Sequence, residues 1–338
     1  MNKSFKSSEL KILNKRKILK HIFLNKQVTR KELANITGLS NSSITRIITE
    51  LILDNYIIST QKINESKYGR KSEVLSINKE KMSALIVDID IKTTMLGYGR
   101  FDGSVEILKT IPTLNDFKKF KEYMIKFIKL FNYNFEYISF SIPGIVDSNN
   151  KKIINTPNLG WKNLFYKDIK LKNVLLDNDS NLSMLAEKTF SKDMKNIENA
   201  IFILVKEGIG AGLLINNNLY RGKNYGAGEI GHNIIFNKNK EIPLEKTVDF
   251  QNNYNNTLKI LAQNISHSIN LLNLEKVILG GKILNLQNES INKLKEMIID
   301  FTFKNNKILD IRTTNFNYVP ASMIGACSNA VLNFINKI

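Results

Sequence analysis

Residues 28–53 spell two short helices hinged on a glycine, and this pair limits the possible N-terminal fold more than any other stretch of the chain. Thr29 and Glu32 have the spacing of a capping box, which starts a helix there. Leu33, Ala34 and Ile36 give that helix a small apolar face, and Gly38 suits the positive φ of a tight turn. Ser40 can cap a second helix, which carries Ile44, Ile47, Ile48 and Leu51 inward at helical spacing. Its outward positions hold Asn41, Ser42, Thr45 and Arg46, side chains able to bond base edges or phosphates. Two helices around such a turn form a helix-turn-helix, whose second helix lies in the major groove, although the same hairpin also occurs as a plain packing unit.

The flanks favour the DNA-reading alternative. A helix over about 13–24 places Ile18, Leu19 and Ile22 against the pair. After Asp54 come two β-prone runs, Tyr56–Thr60 and Val74–Ile77, which make a winged helix-turn-helix. Between them, Tyr68-Gly69-Arg70-Lys71 is a basic tip able to place Arg70 and Lys71 against a minor groove. The candidate DNA contacts are therefore Thr29, Ser40, Asn41, Ser42, Thr45, Arg46, Arg70 and Lys71. Residues 1–80 hold 16 Lys or Arg against 7 Asp or Glu, a net +9 out of +18 for the whole chain. The chain is rich in Lys, Asn and Ile throughout, which discounts the total but not its concentration in the first quarter. The expected division is a mostly α winged helix-turn-helix over 1–65, a wing or linker over 66–80, and a body over 81–338.

One cysteine, Cys327, excludes an internal disulfide framework and a multi-cysteine metal site, and its apolar run reads as buried. No signal-peptide pattern and no membrane-length apolar run is present, so the expectation is a cytoplasmic protein without a membrane partner. From Met82 the pattern changes. Ala84–Ile91 reads as an apolar strand with acids inserted, Thr94–Phe101 as its antiparallel neighbour, and Asp102-Gly103 as a turn into Val105–Leu108. Residues 115–132 read as an amphipathic core helix, and Tyr137–Ile142 as a buried strand ending at Pro143-Gly144. This is an α/β body with a mixed sheet.

Four ordered patches then resemble the ROK family of repressors and sugar kinases. They are Pro143-Gly144-Ile145-Val146-Asp147, Pro157-Asn158-Leu159-Gly160-Trp161, and Asn178-Asp179-Ser180-Asn181 with Ala186-Glu187. The fourth joins Gly208-Ile209-Gly210-Ala211-Gly212 to Gly226-Ala227-Gly228-Glu229-Ile230-Gly231-His232. Val277–Gly281 is a weaker fifth. The resemblance implies a two-lobed, actin-like or ribonuclease-H-like sugar-kinase fold. Carboxylates and amides arrayed at a cleft suit sugar hydroxyls. By resemblance the sugar ligands are Asn158, Asn178, Asp179, Glu229, His232 and a final glutamate, Glu245, with Glu241 as the alternative. Asp179 stands where the family's kinases keep their general base. By itself, Asn178-Asp179 would equally be a helix cap.

The departures from the family pattern matter as much. Family kinases begin with an Asp-x-Gly-x-Thr phosphate loop, and here Asp88-Ile89-Asp90-Ile91-Lys92-Thr93 puts Asp90 in the glycine position. The second loop reads Lys206-Glu207-Gly208-Ile209-Gly210, with Glu207 where a hydroxyl should meet phosphate. Two acids at two phosphate loops argue against ATP as a cofactor. The family's zinc loop follows the histidine with three cysteines, and residues 233–245 contain none, so no zinc is expected. The expectation is a non-enzymatic DNA-binding repressor of carbohydrate-utilisation genes. It would be a homodimer on a double-stranded operator, controlled by a sugar or sugar phosphate in the cleft. The alternatives are a sugar kinase with an added N-terminal domain and a repressor that no longer responds to ligand.

Overall fold

Three helices and a three-stranded sheet form the N-terminal unit of the computed structural model, which describes residues 7–61, 73–130, 134–165, 173–237, 240–303 and 309–338. Helix α1 (Ser7–Asn25) begins earlier than the apolar spacing predicts. Leu10, Ile12 and Leu13 stay exposed in its first turns, so no buried stripe marks them. Strand β1 (Val28–Thr29) leads into α2 (Arg30–Thr37), whose start is a full capping box: Glu32 N–H donates to the Thr29 hydroxyl, and the Glu32 carboxylate accepts from Thr29 N–H. Gly38 ends the helix at φ 73°, donating its N–H to Ala34 O. Ser40 caps α3 (Asn41–Leu53), which buries Ile44, Ile47, Ile48 and Leu51 as its spacing requires. Strands β2 (Ile57–Gln61) and β3 (Glu73–Ile77) complete an antiparallel sheet in the order β1-β3-β2. Thus β3, inside the stretch read as wing or linker, is the central strand of this sheet. Arg70 and Lys71 lie outside the described residues.

The body is built twice on one plan. Strands β4 (Ser83–Ile89), β5 (Thr93–Arg100) and β6 (Val105–Pro112) form an antiparallel meander. Helix α4 (Phe117–Leu130) then leads to β7 (Tyr137–Ile142), which lies parallel to β4. A side sheet follows, of β8 (Ile145–Asp147), β9 (Lys152–Thr156) and β10 (Trp161–Phe165), before β11 (Val174–Asn178) joins parallel to β7. Helix α5 (Asp179–Phe190) connects the two halves.

In the second half, β12 (Ala200–Val205), β13 (Ile209–Ile215) and β14 (Asn218–Tyr220) repeat the meander. A hairpin of β15 (Ile234–Asn237) and β16 (Lys240–Pro243) precedes α6 (Tyr254–Leu272). Strand β17 (Lys276–Gly281), α7 (Asn288–Phe301), β18 (Asp310–Thr313) and α8 (Ala321–Lys337) close the fold. The first sheet runs β6-β5-β4-β7-β11 and the second β14-β13-β12-β17-β18, so meander and parallel strands occupy the same places in both.

One hydrophobic core runs from the N-terminal unit into the first half of the body. Ile18, Ile22, Phe23 and Ile57 share it with Phe101, Tyr137, Met323 and Val331. The reading head is therefore packed on the body. Cys327 lies in that core as expected, its thiol pushed up to about 12 by burial. No helix among the described residues is long and apolar enough to cross a membrane.

Candidate functional site

The cleft forms where the parallel strands of both sheets end. Asp90 follows β4, Pro143 and Gly144 follow β7, Asn178 ends β11, and Lys206 follows β12. Carboxyl ends of parallel strands are the usual ligand edge of such sheets, because the chain leaves them as loops while the strands stay rigid. Asn158, Asn178, Asp179, Glu229, His232 and Glu245 all line this one cleft, so all six sugar-site candidates come together. Glu241 does not: it is exposed on β16, opposite Phe236.

The local roles of these residues differ. Asn178 is the helix cap, its Oδ1 accepting from Ser180 N–H at 2.9 Å and Asn181 N–H at 3.1 Å, while its amide donates to Gly144 O at 3.0 Å. This pins the start of α5 to the loop after β7. Behind it, the fully buried Asp177 pairs with Arg221, tying β11 to the glycine-rich segment after β14. Two of the motif glycines serve packing. A Cβ at Gly212 would overlap Ser180 O, so only glycine lets β13 press against α5. Gly228 adopts φ 90°, a Cβ there would overlap Ala211 O, and its own carbonyl accepts from Ala211 N–H at 2.8 Å, which fixes the following Glu229.

Glu229 and His232 stand 3.9 Å apart (Oε2 to Nε2), with half of the histidine side chain exposed. Burial raises the Glu229 pKa above the ordinary glutamate range; Asp179 and Glu245 push the same way, and His232 opposes them. The arrangement offers acceptors from three sides of the cleft, as a polyhydroxylated ligand requires. The space left is small, about 60 Å³, against about 300–1,000 Å³ for small-molecule sites in general.

Asp179 is paired: Lys206 Nζ donates to its Oδ2 at 3.2 Å. One expectation about charge is corrected. Glu207 is not a free acid at the second loop, since Lys92 (3.1 Å) and Lys282 (3.3 Å) both pair with it and hold its pKa below the ordinary range against the opposing effect of burial. Lys206 is not marked by the family motif, which falls on its neighbour Glu207. The available signal was a lysine at a loop position with acids at 88, 90 and 179.

On the reading head, Asn41, Ser42, Thr45 and Arg46 are exposed on one face of α3. The Thr29 and Ser40 hydroxyls are engaged in the caps of α2 and α3, the latter accepting from Ser43 N–H at 3.3 Å.

Comparison with known proteins agrees with this layout. The ROK family profile matches residues 89–243, and a winged helix-turn-helix DNA-binding profile matches residues 13–58. The chain carries a ROK domain behind a winged helix-turn-helix. A ROK family transcriptional regulator, a homologue of the E. coli MLC protein, superposes with a TM-score of 0.75 over 96% of this chain and 98% of its own, at 19% identity. A xylose repressor of Caldicellulosiruptor bescii is 28% identical over 67% of this chain, and the match spans 59% of that repressor's length. The xylose repressor of Staphylococcus xylosus is 28% identical over 96% of this chain and 85% of its own. Sugar kinases match this ROK domain over shorter stretches.

Proposed function

We propose that this ROK-domain chain is a transcriptional repressor of carbohydrate-utilisation genes, whose operator binding is set by a sugar held in the cleft. Its kinase chemistry is lost, and it needs neither ATP nor zinc. The observation that carries this reading is the placement of α5. Its first turn, Asp179 and the cap Asn178, lines the cleft. Its last residue, Phe190, meets the reading head edge-on at Phe23 of α1, with ring centroids 5.5 Å apart and Lys26 Nζ 3.8 Å above the Phe190 ring. Lys26 also donates to Asp102 O at the β5–β6 turn. A ligand that shifts the start of this short helix shifts the packing under α1. In a homodimer, that changes the distance between two α3 helices, which must sit about 34 Å apart to read two half-sites. Xylose, named in the relatives, is the first sugar to test.

The test is operator binding by the full chain with and without sugar. Phe190→Ala should bind operator and sugar as the parent does but lose the coupling between them, a change of roughly 5–150-fold in operator affinity in the parent. Coupling that survives Phe190→Ala intact would remove α5 from the mechanism, and no operator binding by the parent would overturn the repressor reading. Arg46→Ala should weaken operator binding by about 1–3 kcal/mol if it reads a base edge, and otherwise lower the salt dependence, both measurable by titration at several salt concentrations.

A further inference from the structure

The open side of α3 carries two kinds of side chain. Ser42, Thr45 and Thr49 are exposed and recur at i, i+3 and i+7, so they run along the middle of the face that a major groove would meet. Arg46 is exposed at the edge of that face, toward Ser43 and Glu50. On this side α3 meets α1, since Glu50 takes both Lys11 (2.7 Å) and Lys15 (2.9 Å) of that helix. Glu50 stands four residues after Arg46, a spacing at which opposite charges on one helix meet. Because α1 holds the acid, the Arg46 guanidinium is left without an ion-pair partner among the described residues. An open groove lies between the two helices, lined by Ser8, Lys11 and Asn14 of α1 and by Ser43 and Arg46 of α3. Its lining holds two cations and no carboxylate.

We propose that this groove is a phosphate clamp, in which Arg46 of α3 and Lys11 of α1 hold the DNA backbone, and that Arg46 positions the reading head and reads no base. The inference rests on the operator-binding reading and deepens it by adding the start of α1 to the DNA surface. The guanidinium fork suits the paired oxygens of a phosphodiester. An ammonium has three donors, so Lys11 can serve Glu50 and a phosphate together. Ser8, Asn14 and Ser43 add neutral donors along the same groove. Such contacts fix orientation without carrying sequence, which leaves base edges to the middle of the α3 face. Glu50 is the positioning residue: it ties α1 to α3, keeps Lys11 at the groove and stays clear of Arg46.

The experiment measures binding of the full chain to two DNA duplexes over a range of salt concentrations. One duplex has an arbitrary sequence, and the other carries the sequence that the parent selects from a random pool. Arg46→Gln and Lys11→Gln should each flatten the plot of log affinity against log salt by about one on both duplexes, the change for one lost phosphate contact. Arg46→Gln should select the same sequence from the pool as the parent does. Glu50→Gln leaves Lys11 and Lys15 without their acid and should steepen the slope on the arbitrary duplex by about one to two, where a merely loosened head would only weaken binding. Lys259→Gln, on α6 of the body, should leave the slope unchanged and controls for total charge. An unchanged slope for any of the first three variants overturns the proposal, and so does an altered selected sequence for Arg46→Gln. A parent that binds neither duplex overturns the repressor reading together with it. If Glu50→Gln does not fold, the Arg46 and Lys11 variants decide.

Discussion

Arg312→Met should destabilise the fold by about 3–5 kcal/mol, the range for removing one partner of a buried ion pair. Glu187, two turns into α5, is fully buried, and Arg312 Nη2 on β18 reaches its Oε2 at 2.8 Å. The same carboxylate accepts from the Thr314 hydroxyl at 2.5 Å, from Asn315 N–H at 3.1 Å and from the Ser191 hydroxyl. Those neutral donors satisfy its lone pairs but do not balance its charge. Without the guanidinium, the carboxylate must stay ionised in a buried site with no counter-charge of its own or take up a proton. Arg312 also bonds Asp193 at 2.6 Å, but that acid is 40% exposed, and such a pair adds little. Urea unfolding of parent and variant measures the difference. Glu187→Gln in the Arg312→Met background should recover part of the loss, because it removes the stranded charge while keeping the shape. A loss below about 1 kcal/mol would show that the pair behaves as a surface contact.

Local signals and long-range pairing differ in how far the sequence reveals them. Caps are local, so Thr29 with Glu32, Gly38 and Ser40 announce the reading head within a dozen residues, and the structure uses each as read. The cleft residues were legible from the order of the family's motifs, and all six candidates line one cleft. Long-range pairing was not legible. Nothing in Val28-Thr29 says that it is a strand, since a two-residue run has no period and gains its hydrogen bonds only from β3. The duplicated sheet plan leaves no trace of repetition in the residues, because a buried strand asks only for apolar side chains of roughly fitting size. Ion pairs are the hardest of all. Glu207 read alone is a repelling acid, and only the fold brings Lys92 and Lys282 to it. Glycine was legible as a motif but misleading as chemistry. Gly210 stands in the stretch read as the second phosphate loop, whereas a Cβ there would overlap the Ser180 hydroxyl at the start of α5.

Glu229→Ala should abolish measurable sugar binding while leaving operator affinity unchanged. The side chain lines the cleft with Asn178 and Asp179 and follows the turn at Gly228, and its carboxylate lies 3.9 Å from the His232 imidazole. Loss of a hydrogen bond to a charged acceptor costs about 1.5–3 kcal/mol, which weakens a sugar of ordinary affinity by more than tenfold. The variant separates a ligand role from a structural one because of the sign of the glutamate's pKa shift. Burial raises that pKa, so the folded state holds its proton more tightly than the unfolded chain does. Ionisation of Glu229 therefore works against folding, and stability falls as pH rises through the window between the unfolded and folded values. Removing the group should leave thermal stability at neutral pH equal to the parent's or slightly above it. Glu229→Gln, which keeps an acceptor oxygen without the charge, should retain part of the sugar affinity. Affinity in the parent should also begin to fall at a milder acidity than an ordinary glutamate would give, since protonation removes the charge and one of the two acceptor oxygens. Calorimetric titration of sugar across pH, with thermal unfolding at neutral pH and operator binding at one fixed salt concentration, measures these outcomes. A Glu229→Ala protein that answers to sugar as the parent does would move the effector out of this cleft.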